Sequence, residues 1–400
     1  MSTVFLYDDA LARAFEPFAL TRPMGEMRAG AMLVRERWSC VLGTGDVAHL
    51  AASHLRGFAE PGAALVHEGV VPTGAWVVNA RFAPSLEARL IGDRIVAGGR
   101  TVAVRVPGAT ELSRFDGGIA SLDDIGGAQT QSMDIRGWWM DEVWDFVGHL
   151  VPMLMEDLPI LGAMLTSGLR AESIAVGTHP VFVHQDAEIE PSVCFDTSAG
   201  PILIDAEAHV QAFTRLVGPL YVGRGSTVTT DRVAASSIGD TCKVHGEMSN
   251  TIMLGHANKG HDGFIGHSIM GRWVNLGAGT ITSNLKNTYG TVQLWTPEGV
   301  RETGMQFLGT LFGDHAKTGI GLRLTTGSVL GAGCNVYGSV MPPKAVAPFT
   351  WGEAGAFTAY RIDKFLDVAE RMMSRRHVVL GEGARAQLVA SHAVRWSVDA

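Results

Sequence analysis

Cysteine is scarce in this chain of 400 residues. Only Cys40, Cys194, Cys242 and Cys334 occur, and no two of them form a CxxC pair. A disulfide-stabilised secreted scaffold and a cysteine-ligated zinc module both need cysteines paired at short spacing. The sequence therefore excludes these two classes and predicts reduced, mostly buried thiols.

Excess positive charge and long apolar runs are also missing. The formal net charge is −8, whereas a general nucleic-acid-binding protein needs a basic surface. No stretch reaches the 18 uncharged apolar residues of a membrane span, and the nearest, 143–165, contains three acidic residues. The first residues lack the basic segment and apolar core of a signal peptide. We therefore expect a cytoplasmic protein with small-molecule partners, and neither nucleic acid nor membrane among them.

Glycine, in contrast, is abundant, and most of the excess follows residue 196. Aliphatic residues in the same region recur every six positions, a step that neither an α-helix nor a single β-strand produces. A hexapeptide β-helix does, because each short strand sends one aliphatic side chain into a narrow core before the chain turns. The two six-residue runs are Ile204, Val210, Leu216, Val222 and Val228, then Phe312, Thr318, Leu324, Leu330 and Val336.

Three strands in each coil predict specific neighbours. Ile204 should stack beneath Val222, and Phe312 beneath Leu330, about 4.8 Å apart. The polar segment 285–305 breaks the pattern and should form an insertion. Glycines that adjoin the inward residues should supply positive φ at the corners: Gly223, Gly239, Gly277, Gly313 and Gly331.

The flanking regions have a different character. Before the hexads, short apolar strand candidates alternate with helix candidates, which predicts an α/β layer with a parallel sheet. Strands are expected at 4–7, 40–42, 64–66 and 76–79, and helices at 31–38 and 46–56. After the hexads, 356–376 has helical periodicity and should cap the final coil. We expect an α/β unit with a helical linker over 1–170, a β-helix over 171–343 and a helical cap over 344–400.

The segment from Lys243 to Asn284 carries the candidate chemistry. It contains four histidines (His245, His256, His261 and His267) and a GAGT tetrapeptide. Transfer of an acyl group from a thioester to an amine needs a base and donors for the oxyanion. Histidine is the usual base near neutral pH. The backbone of GAGT and the Asn284 amide are candidate donors, and small side chains there would let a thioester approach closely.

Residues 259–284, KGHDGFIGHSIMGRWVNLGAGTITSN, resemble the acetyltransferase domain of the bifunctional N-acetylglucosamine-1-phosphate uridyltransferase/glucosamine-1-phosphate N-acetyltransferase family. That domain is a left-handed β-helix, works as a homotrimer and takes acetyl-CoA. Its catalytic histidine stands nineteen residues before the threonine of GAGTIT, as His261 stands before Thr280. The resemblance implies a sugar contact for Asn275, a catalytic place beside the acetyl group for Asn284 and a supporting catalytic role for Glu247. It implies acetyl-CoA contacts for Ala278, Gly279, Asp314 and Ala332.

The chain also departs from that family. Phe264 and Leu285 replace tyrosines, and Ser249 replaces a phosphate-binding lysine. These losses leave the acceptor open between an amino-sugar phosphate and a nucleotide-linked amino sugar. Lys259, Lys286 or Arg232 would restore a phosphate contact.

The N-terminal region resembles a sugar nucleotidyltransferase domain in arrangement, although the family's glycine-rich loop is missing. LTRPMGEMRAG, residues 20–30, is the nearest counterpart. The resemblance implies that Arg22 and Arg28 bind a triphosphate, that Asp8 and Asp9 hold Mg²⁺, and that Asn79 replaces an aspartate. The alternative is that Arg22 and Glu26 only order the loop. The whole layout resembles a bacterial branch of sugar nucleotidyltransferase-like proteins related to the bifunctional enzyme, which implies a place in cell-envelope biosynthesis and possible UDP-sugar formation.

Two other functions stay open at this point. A γ-carbonic-anhydrase-like site would hold zinc through histidines spaced as His256 and His261 are, although no histidine lies between His209 and His245 to serve as the third ligand. A binding or regulatory protein with a degenerate nucleotidyltransferase domain would need no catalysis at all.

Overall fold

The N-terminal unit is built on a seven-stranded mixed sheet with the strand order β10-β8-β9-β6-β1-β4-β5. The computed structural model describes residues 3–127, 131–163, 165, 173–229 and 231–397. The elements of this unit are β1 Val4–Tyr7, β2 Arg28–Ala29, β3 Met32–Leu33, α1 Val34–Leu42, β4 Val47–Leu50, β5 Leu65–Val66, β6 Trp76–Asn79, β7 Phe82–Pro84, β8 Arg94–Ala97, β9 Arg100–Arg105, α2 Leu122–Gly126, β10 Ser132–Asp134, β11 Gly137–Trp139, α3 Asp145–Gly148 and α4 Leu150–Gly162. Short 3₁₀ turns cover Ala12–Ala14, Met24–Glu26, Ser53–Leu55 and Leu112–Gly118.

Strand β1 is central because all four of its side chains are buried, as its continuous apolar run predicts. It pairs in parallel with β4 and β6, whereas β9 runs antiparallel to β6. Two predicted elements here are wrong. Residues 40–42 end helix α1, which stops at Gly43 in the left-handed region, and the predicted helix at 46–56 contains strand β4. Pairing with β1 outweighs the helical spacing of this segment.

The second half is a left-handed parallel β-helix with three faces, as the hexads predict. Face A comprises Ile174–Gly177, Cys194–Thr197, Arg215–Val217, Arg232–Ala234, Glu247–Ser249 and Phe264–Gly266, and the pair Ile281–Thr282 and Arg323–Leu324 continues it. Face B comprises Val181–Val183, Ile202–Ile204, Leu220–Val222, Ser237–Asp240, Ile252–Gly255, Ile269–Met270, Thr310–Phe312, Ser328–Leu330 and Ala345–Val346. Face C comprises Glu188–Ile189, His209–Val210, Thr227–Thr229, Lys243–His245, Asn258–Lys259, Asn275–Leu276, Lys317–Thr318, Asn335–Val336, Thr350–Gly352 and Thr358–Ala359.

The predicted stacking is confirmed residue by residue. Ile204 pairs with Val222 and Phe312 with Leu330, and all four side chains are fully buried. Thr318, the polar member of the second run, also points inward and is buried beside Leu276 and Val336. Its hydroxyl is hydrogen-bonded to that of Thr280, 2.8 Å away. A polar side chain is therefore tolerated in the apolar interior of the three-faced β-helix, which we call the prism.

The predicted role of the corner glycines is wrong in one respect. Positive φ occurs two residues later, for example at Gly279 and His315. Gly277 is required instead by a close approach, since a Cβ there would lie 2.6 Å from the carbonyl carbon of Gly319 in the next coil. The corners therefore exclude side chains by contact between coils at one position and demand left-handed backbone at another.

Face B carries the N-terminal unit. Outward residues of this face, such as Leu203, Ile252 and Leu311, join one hydrophobic core with helix α4 and the sheet. The insertion at 285–305 contains a hairpin, Gln293–Thr296 paired with Gly299–Glu302, whose buried Leu294 enters the same core. One continuous core thus fixes the two halves of the chain against each other.

The C-terminal segment differs from the predicted cap. Thr358–Ala359 pairs antiparallel with Thr350–Gly352, so a strand covers the last edge of face C. Helix α5, Ile362–Ser374, and helix α6, Glu382–Ala393, then lie along the corner between faces B and C. Within the described ranges, no helix combines the length and apolarity that crossing a bilayer requires.

Candidate functional site

The corner between faces C and A bears an open cleft of about 690 Å³. Successive coils contribute one short turn each to its wall, so residues far apart in sequence are stacked along the axis. The predicted base His261 and the predicted acetyl-CoA contacts Ala278 and Gly279 lie together in it. The remaining lining residues are His245, Gly260, Asp262, Ile320 and Gly321.

His261 is exposed to solvent in this cleft. No other residue in the described part of the chain hydrogen-bonds its imidazole, so both ring nitrogens face the cleft or solvent. The opposite wall is backbone, because Ala278 and Gly279 carry little or no side chain. A nucleophile and a thioester can therefore approach the ring without displacing protein atoms.

Lys259 lies under this corner, inside the prism. It takes the inward position of its strand, directly over Val244, and is 1% exposed. Its ammonium donates to the carbonyls of His245, at 3.1 Å, and of His261. Burial lowers the pKa of Lys259 to about 8. The lysine therefore ties two turns of the cleft together from within, and it does not reach the surface where the sequence predicted a phosphate contact.

His245 belongs to a second cluster at the same corner. Its Nε2 lies 2.7 Å from Asp262 Oδ1, and its Nδ1 lies 2.9 Å from the Thr229 hydroxyl. Together with Asp231, these side chains place three ligand-type atoms within 4.8 Å of one another. Sequence reasoning gave His245 and Asp262 no role. The coil length was the available signal, since His245 stands sixteen residues, or one coil, before His261.

Three other predicted residues flank the cleft on its two faces. Glu247 and Arg232 are neighbours on face A, 3.6 Å apart and largely exposed. Asn275 lies on face C, where its carbonyl oxygen accepts a hydrogen bond from Asn258 at 3.2 Å. The two faces that meet at the cleft thus carry a carboxylate, a guanidinium and an amide.

Asn284 lies at a different corner, between faces A and B. Its amide is 2.9 Å from Nδ1 of His267, and Lys286 follows it at the start of the insertion. Burial lowers the pKa of His267 to about 4, so that ring is neutral at pH 7 and can accept from the amide. Within one chain, Asn284 and His261 are therefore on separate edges of the prism.

Asp314 and Ala332 lie at the third corner, between faces B and C, and both are buried. Asp314 accepts from Arg22 Nε at 2.9 Å and from the Thr21 hydroxyl at 2.8 Å, so it fastens the N-terminal unit to the β-helix. His256 occupies the same corner, with its ring 4.3 Å from that of Trp273. His256 and His261 are on different edges of one chain, and His256 is buried against Trp273, so this pair does not form the zinc site of the alternative interpretation within one chain.

The carboxyl end of β1 brings the other predicted group together. Tyr7 pairs with Asn79, which places Asp9 beside the turn after β6. Asn79 donates to Asp9 at 2.9 Å, and the Arg81 guanidinium binds the same carboxylate at 2.8 Å. Asp8 is buried and accepts from the Met24 amide. Burial raises the pKa of Asp8 to about 7.

These contacts do not fit the predicted Mg²⁺ and triphosphate site. Asp9 is already paired with Arg81, and the raised pKa of the buried Asp8 weakens it as a ligand for a cation. Arg22 is 1% exposed and forms ion pairs with Glu60 and Asp314. Its bond to Glu26 goes to the backbone carbonyl and not to the carboxylate. Arg28 lies against the ring of Tyr221, 5.4 Å from its centre. The cations expected to bind phosphate are therefore engaged with the β-helix.

The fold and the cleft define a class of protein: a nucleotidyltransferase-like α/β unit followed by a hexapeptide-repeat left-handed β-helix with a histidine-lined corner. Residues 4–164 match the family model described as sugar nucleotidyl transferase. The chain is related, at low identity, to bifunctional nucleotidyltransferase/acetyltransferases.

Two curated relatives illustrate this relationship. "Bifunctional protein GlmU" of Methanococcus vannielii is 29% identical over 126 residues, which are 30% of this chain and 28% of that protein. "Bifunctional sugar-1-phosphate nucleotidylyltransferase/acetyltransferase" of Sulfurisphaera tokodaii is 27% identical over 149 residues, 34% of this chain and 35% of that protein. The matched segments thus span about a third of each relative.

Among solved structures, the N-acyltransferase AntD from Bacillus cereus covers 51% of this chain and 92% of its own. Its sequence identity is 14% and its TM-score is 0.24, which is too weak a likeness to support an argument about activity.

Proposed function

We propose that this protein transfers an acetyl group from acetyl-CoA to the amine of an amino-sugar phosphate or a nucleotide-linked amino sugar. The observation that carries the proposal is the cleft in which His261 faces the small residues Ala278 and Gly279. His261 would remove the proton from the attacking amine. Backbone N–H groups of the GAGT turn would stabilise the oxyanion that forms at the thioester carbonyl.

The flanking residues suit a sugar acceptor. Asn275 on face C and Glu247 on face A present an amide and a carboxylate to the rim of the cleft. Both groups form hydrogen bonds with sugar hydroxyls. Arg232 and Lys286 are the remaining candidates for a phosphate, whereas Lys259 is confined to the prism. This combination supports an amino-sugar acceptor that carries a phosphate or a nucleotide, and the panel of acceptors described below tests which sugar it is.

We further propose that the active site is shared between copies of a homotrimer. Asn284 and His261 are on separate edges of one prism, so a single chain does not bring them to one thioester. The strongly exposed Ile320 beside the cleft, 80% accessible, offers an apolar contact for a neighbouring prism. A neighbour packed there would supply Asn284 to the cleft of its partner. The N-terminal unit, whose predicted phosphate-binding cations Arg22 and Arg28 contact the β-helix, would orient the β-helix.

The test is thiol release from acetyl-CoA with glucosamine 1-phosphate and a panel of nucleotide-linked amino sugars. His261→Gln is expected to lower kcat by about 10²- to 10⁴-fold, the usual contribution of a general base. Asn284→Ala is also expected to lower kcat. Co-refolding the two variants should restore part of the activity. In a mixed trimer, some clefts combine the intact His261 of an Asn284→Ala chain with the intact Asn284 of a His261→Gln chain.

His209→Gln is the matched control, since His209 lies on face C outside the cleft and pairs with Glu190. It should keep the activity of the natural protein. Thiol release that survives in His261→Gln, or no release with any amino sugar, would refute the transfer. Activity that mixing does not restore would refute the shared site and leave the transfer standing.

A further inference from the structure

A second cavity, of about 460 Å³, lies on face C near the end of the β-helix. Its floor is Trp351 with the neighbouring strand residues Thr358 and Ala359, and its wall is helix α5. The volume falls within the range of small-molecule sites. Nothing in the acyl cleft or the N-terminal unit accounts for it.

The aromatic floor is held rigidly. Trp351 makes edge-to-face contacts with Tyr360, 4.9 Å between ring centres, and with Tyr337, 6.0 Å away. It nevertheless stays 38% exposed. An indole that is fixed on two sides and open on another is suited to stacking, since little side-chain entropy is lost when a flat ligand binds.

The wall of this pocket is cationic. Arg361, Lys364, Val368 and Arg371 follow one another at spacings of three and four, so they form one stripe along α5. The stripe leaves a gap over Trp351, while the opposite face of the helix buries Phe365, Ala369 and Met373. Arg361 is paired with Asp363, so Lys364 and Arg371 are the cations that the pocket offers to a ligand, beside one lining carboxylate, Asp367, in a chain whose net charge is −8.

The pocket is aligned with the acyl cleft. Asn275, Lys317, Asn335 and Trp351 are consecutive neighbours in one outward column of face C. Three strand steps separate Asn275 from Trp351, which amounts to about 14 Å. An extended ligand lying along this polar column would reach from the rim of the cleft to the aromatic pocket.

From the stacking surface, the cationic stripe and this alignment, we infer that the pocket binds the nucleoside diphosphate part of a substrate. The base stacks on Trp351, and the phosphates contact Lys364 and Arg371. Acetyl-CoA and a nucleotide-linked sugar both contain such a group. Naming acetyl-CoA or a nucleotide-linked sugar as the ligand rests on the proposed function, whereas the inference that the pocket binds a nucleoside diphosphate does not.

Isothermal titration of the full-length protein with CoA, ADP and UDP separates these sources. Binding of CoA and ADP but not UDP assigns the pocket to the acyl donor, and preference for UDP assigns it to the acceptor. Trp351→Ala is expected to weaken binding by about 5- to 150-fold, the range for losing one base–aromatic stack. Trp351→Phe should retain most of the affinity because the stacking surface remains.

The cationic stripe is tested independently of the floor. The double variant Lys364→Ala/Arg371→Ala should weaken binding by about tenfold or more and flatten its salt dependence, whereas Arg323→Ala, an exposed cation outside the pocket, should not. Failure of all three compounds to bind at millimolar concentration would overturn the inference. So would affinities that Trp351→Ala leaves unchanged, including the case in which that variant alters only the oligomeric mass.

The outcomes are distinguishable from those for acetyl transfer. His261→Gln abolishes transfer under the proposed function but should leave the titrations unchanged. Transfer with an unaltered KM for acetyl-CoA in Trp351→Ala, together with no nucleotide binding, would retain the function and reject the pocket.

Discussion

Two corners of the same β-helix are rich in histidine but have opposite environments. At the corner between faces C and A, His245 and His261 line a cleft open to solvent. At the corner between faces B and C, His256 and His315 are buried on either side of Trp273. Both corners use left-handed backbone at their turns, for example at Gly279 and His315. What separates them is the cover, because the N-terminal unit and the C-terminal helices pack over the second corner, whereas the first corner opens into the cleft.

The cover changes what a histidine can do. Burial lowers the pKa of His256 to about 4, so it stays neutral and serves packing against Trp273. His261 has no such cover and keeps a ring that substrates can reach. The contrast implies that the fold dedicates one edge to chemistry and another to joining the two halves of the chain.

The largest loss of stability is expected from removing a buried ion pair at the covered corner, the one between faces B and C. Arg22 is buried between Glu60 and Asp314, with its guanidinium 2.9 Å from each. Arg22→Met leaves both carboxylates buried with fewer partners, and we expect it to cost about 3–5 kcal/mol of unfolding free energy. Urea denaturation followed by circular dichroism measures this loss.

Arg224→Met is the matched control, since it removes an arginine whose pair with Glu207 is solvent-exposed on both sides. Its denaturation midpoint should stay close to that of the natural protein. Equal midpoints for the two variants would show that the buried network does not hold the halves together.

The sequence predicts the coils of the β-helix well, but it predicts poorly which of their faces the N-terminal unit and the C-terminal helices cover. The difference has a physical reason. Hexads such as Ile204 to Val228 record burial every six residues, which only the β-helix produces, so fold and stacking follow from pattern alone. The resemblance of residues 259–284 to an acetyltransferase domain likewise implies that His261, Ala278 and Gly279 belong to one site, and all three line the cleft. Which faces are covered depends on contacts between residues about 290 positions apart, such as Arg22 and Asp314, and such contacts leave no periodic trace.

The same limit explains why two predicted ligand-binding residues do not lie at the acyl cleft. Lys259 and Asp314 are polar residues in a polar stretch, and their sequence neighbours suggest exposure. The first fills an inward slot of the prism, and the second lies under the N-terminal unit.

An intermediate loss of stability is expected from removing the buried ammonium that ties the turns of the open corner, the one between faces C and A. Lys259→Met removes the donor to the carbonyls of His245 and His261 while keeping a long apolar side chain in the slot. Both carbonyls then lose their bond to a charged donor, and we expect a loss of about 1–3 kcal/mol in unfolding free energy. The turn that carries His261 also loses its tether, so the proposed acetyl transfer should fall about tenfold or more.

Val244→Ala tests whether that loss of activity is only a loss of stability. Val244 is the inward neighbour of Lys259 on face C, and its removal leaves both carbonyl bonds in place. It should lower the unfolding free energy to a similar extent but keep kcat. If the two variants lose activity in parallel, Lys259 does not position the cleft.

The smallest effect should appear when the pH is lowered, and it sharpens the contrast between the corners. In the folded chain, burial holds the pKa of His256 at about 4, against an ordinary value of 6.5. The unfolded chain therefore binds more protons between these values, so stability is present above pH 6.5 and is lost as the pH falls towards 4. For one such group the loss by pH 5.5 is about 1 kcal/mol. His256→Asn, whose side chain tolerates the left-handed backbone at this position, should reduce the loss by that amount in denaturation curves at pH 7.5 and 5.5. His261→Asn should leave the pH dependence as it is, and an equal reduction in both variants would mean that the two corners do not differ in burial.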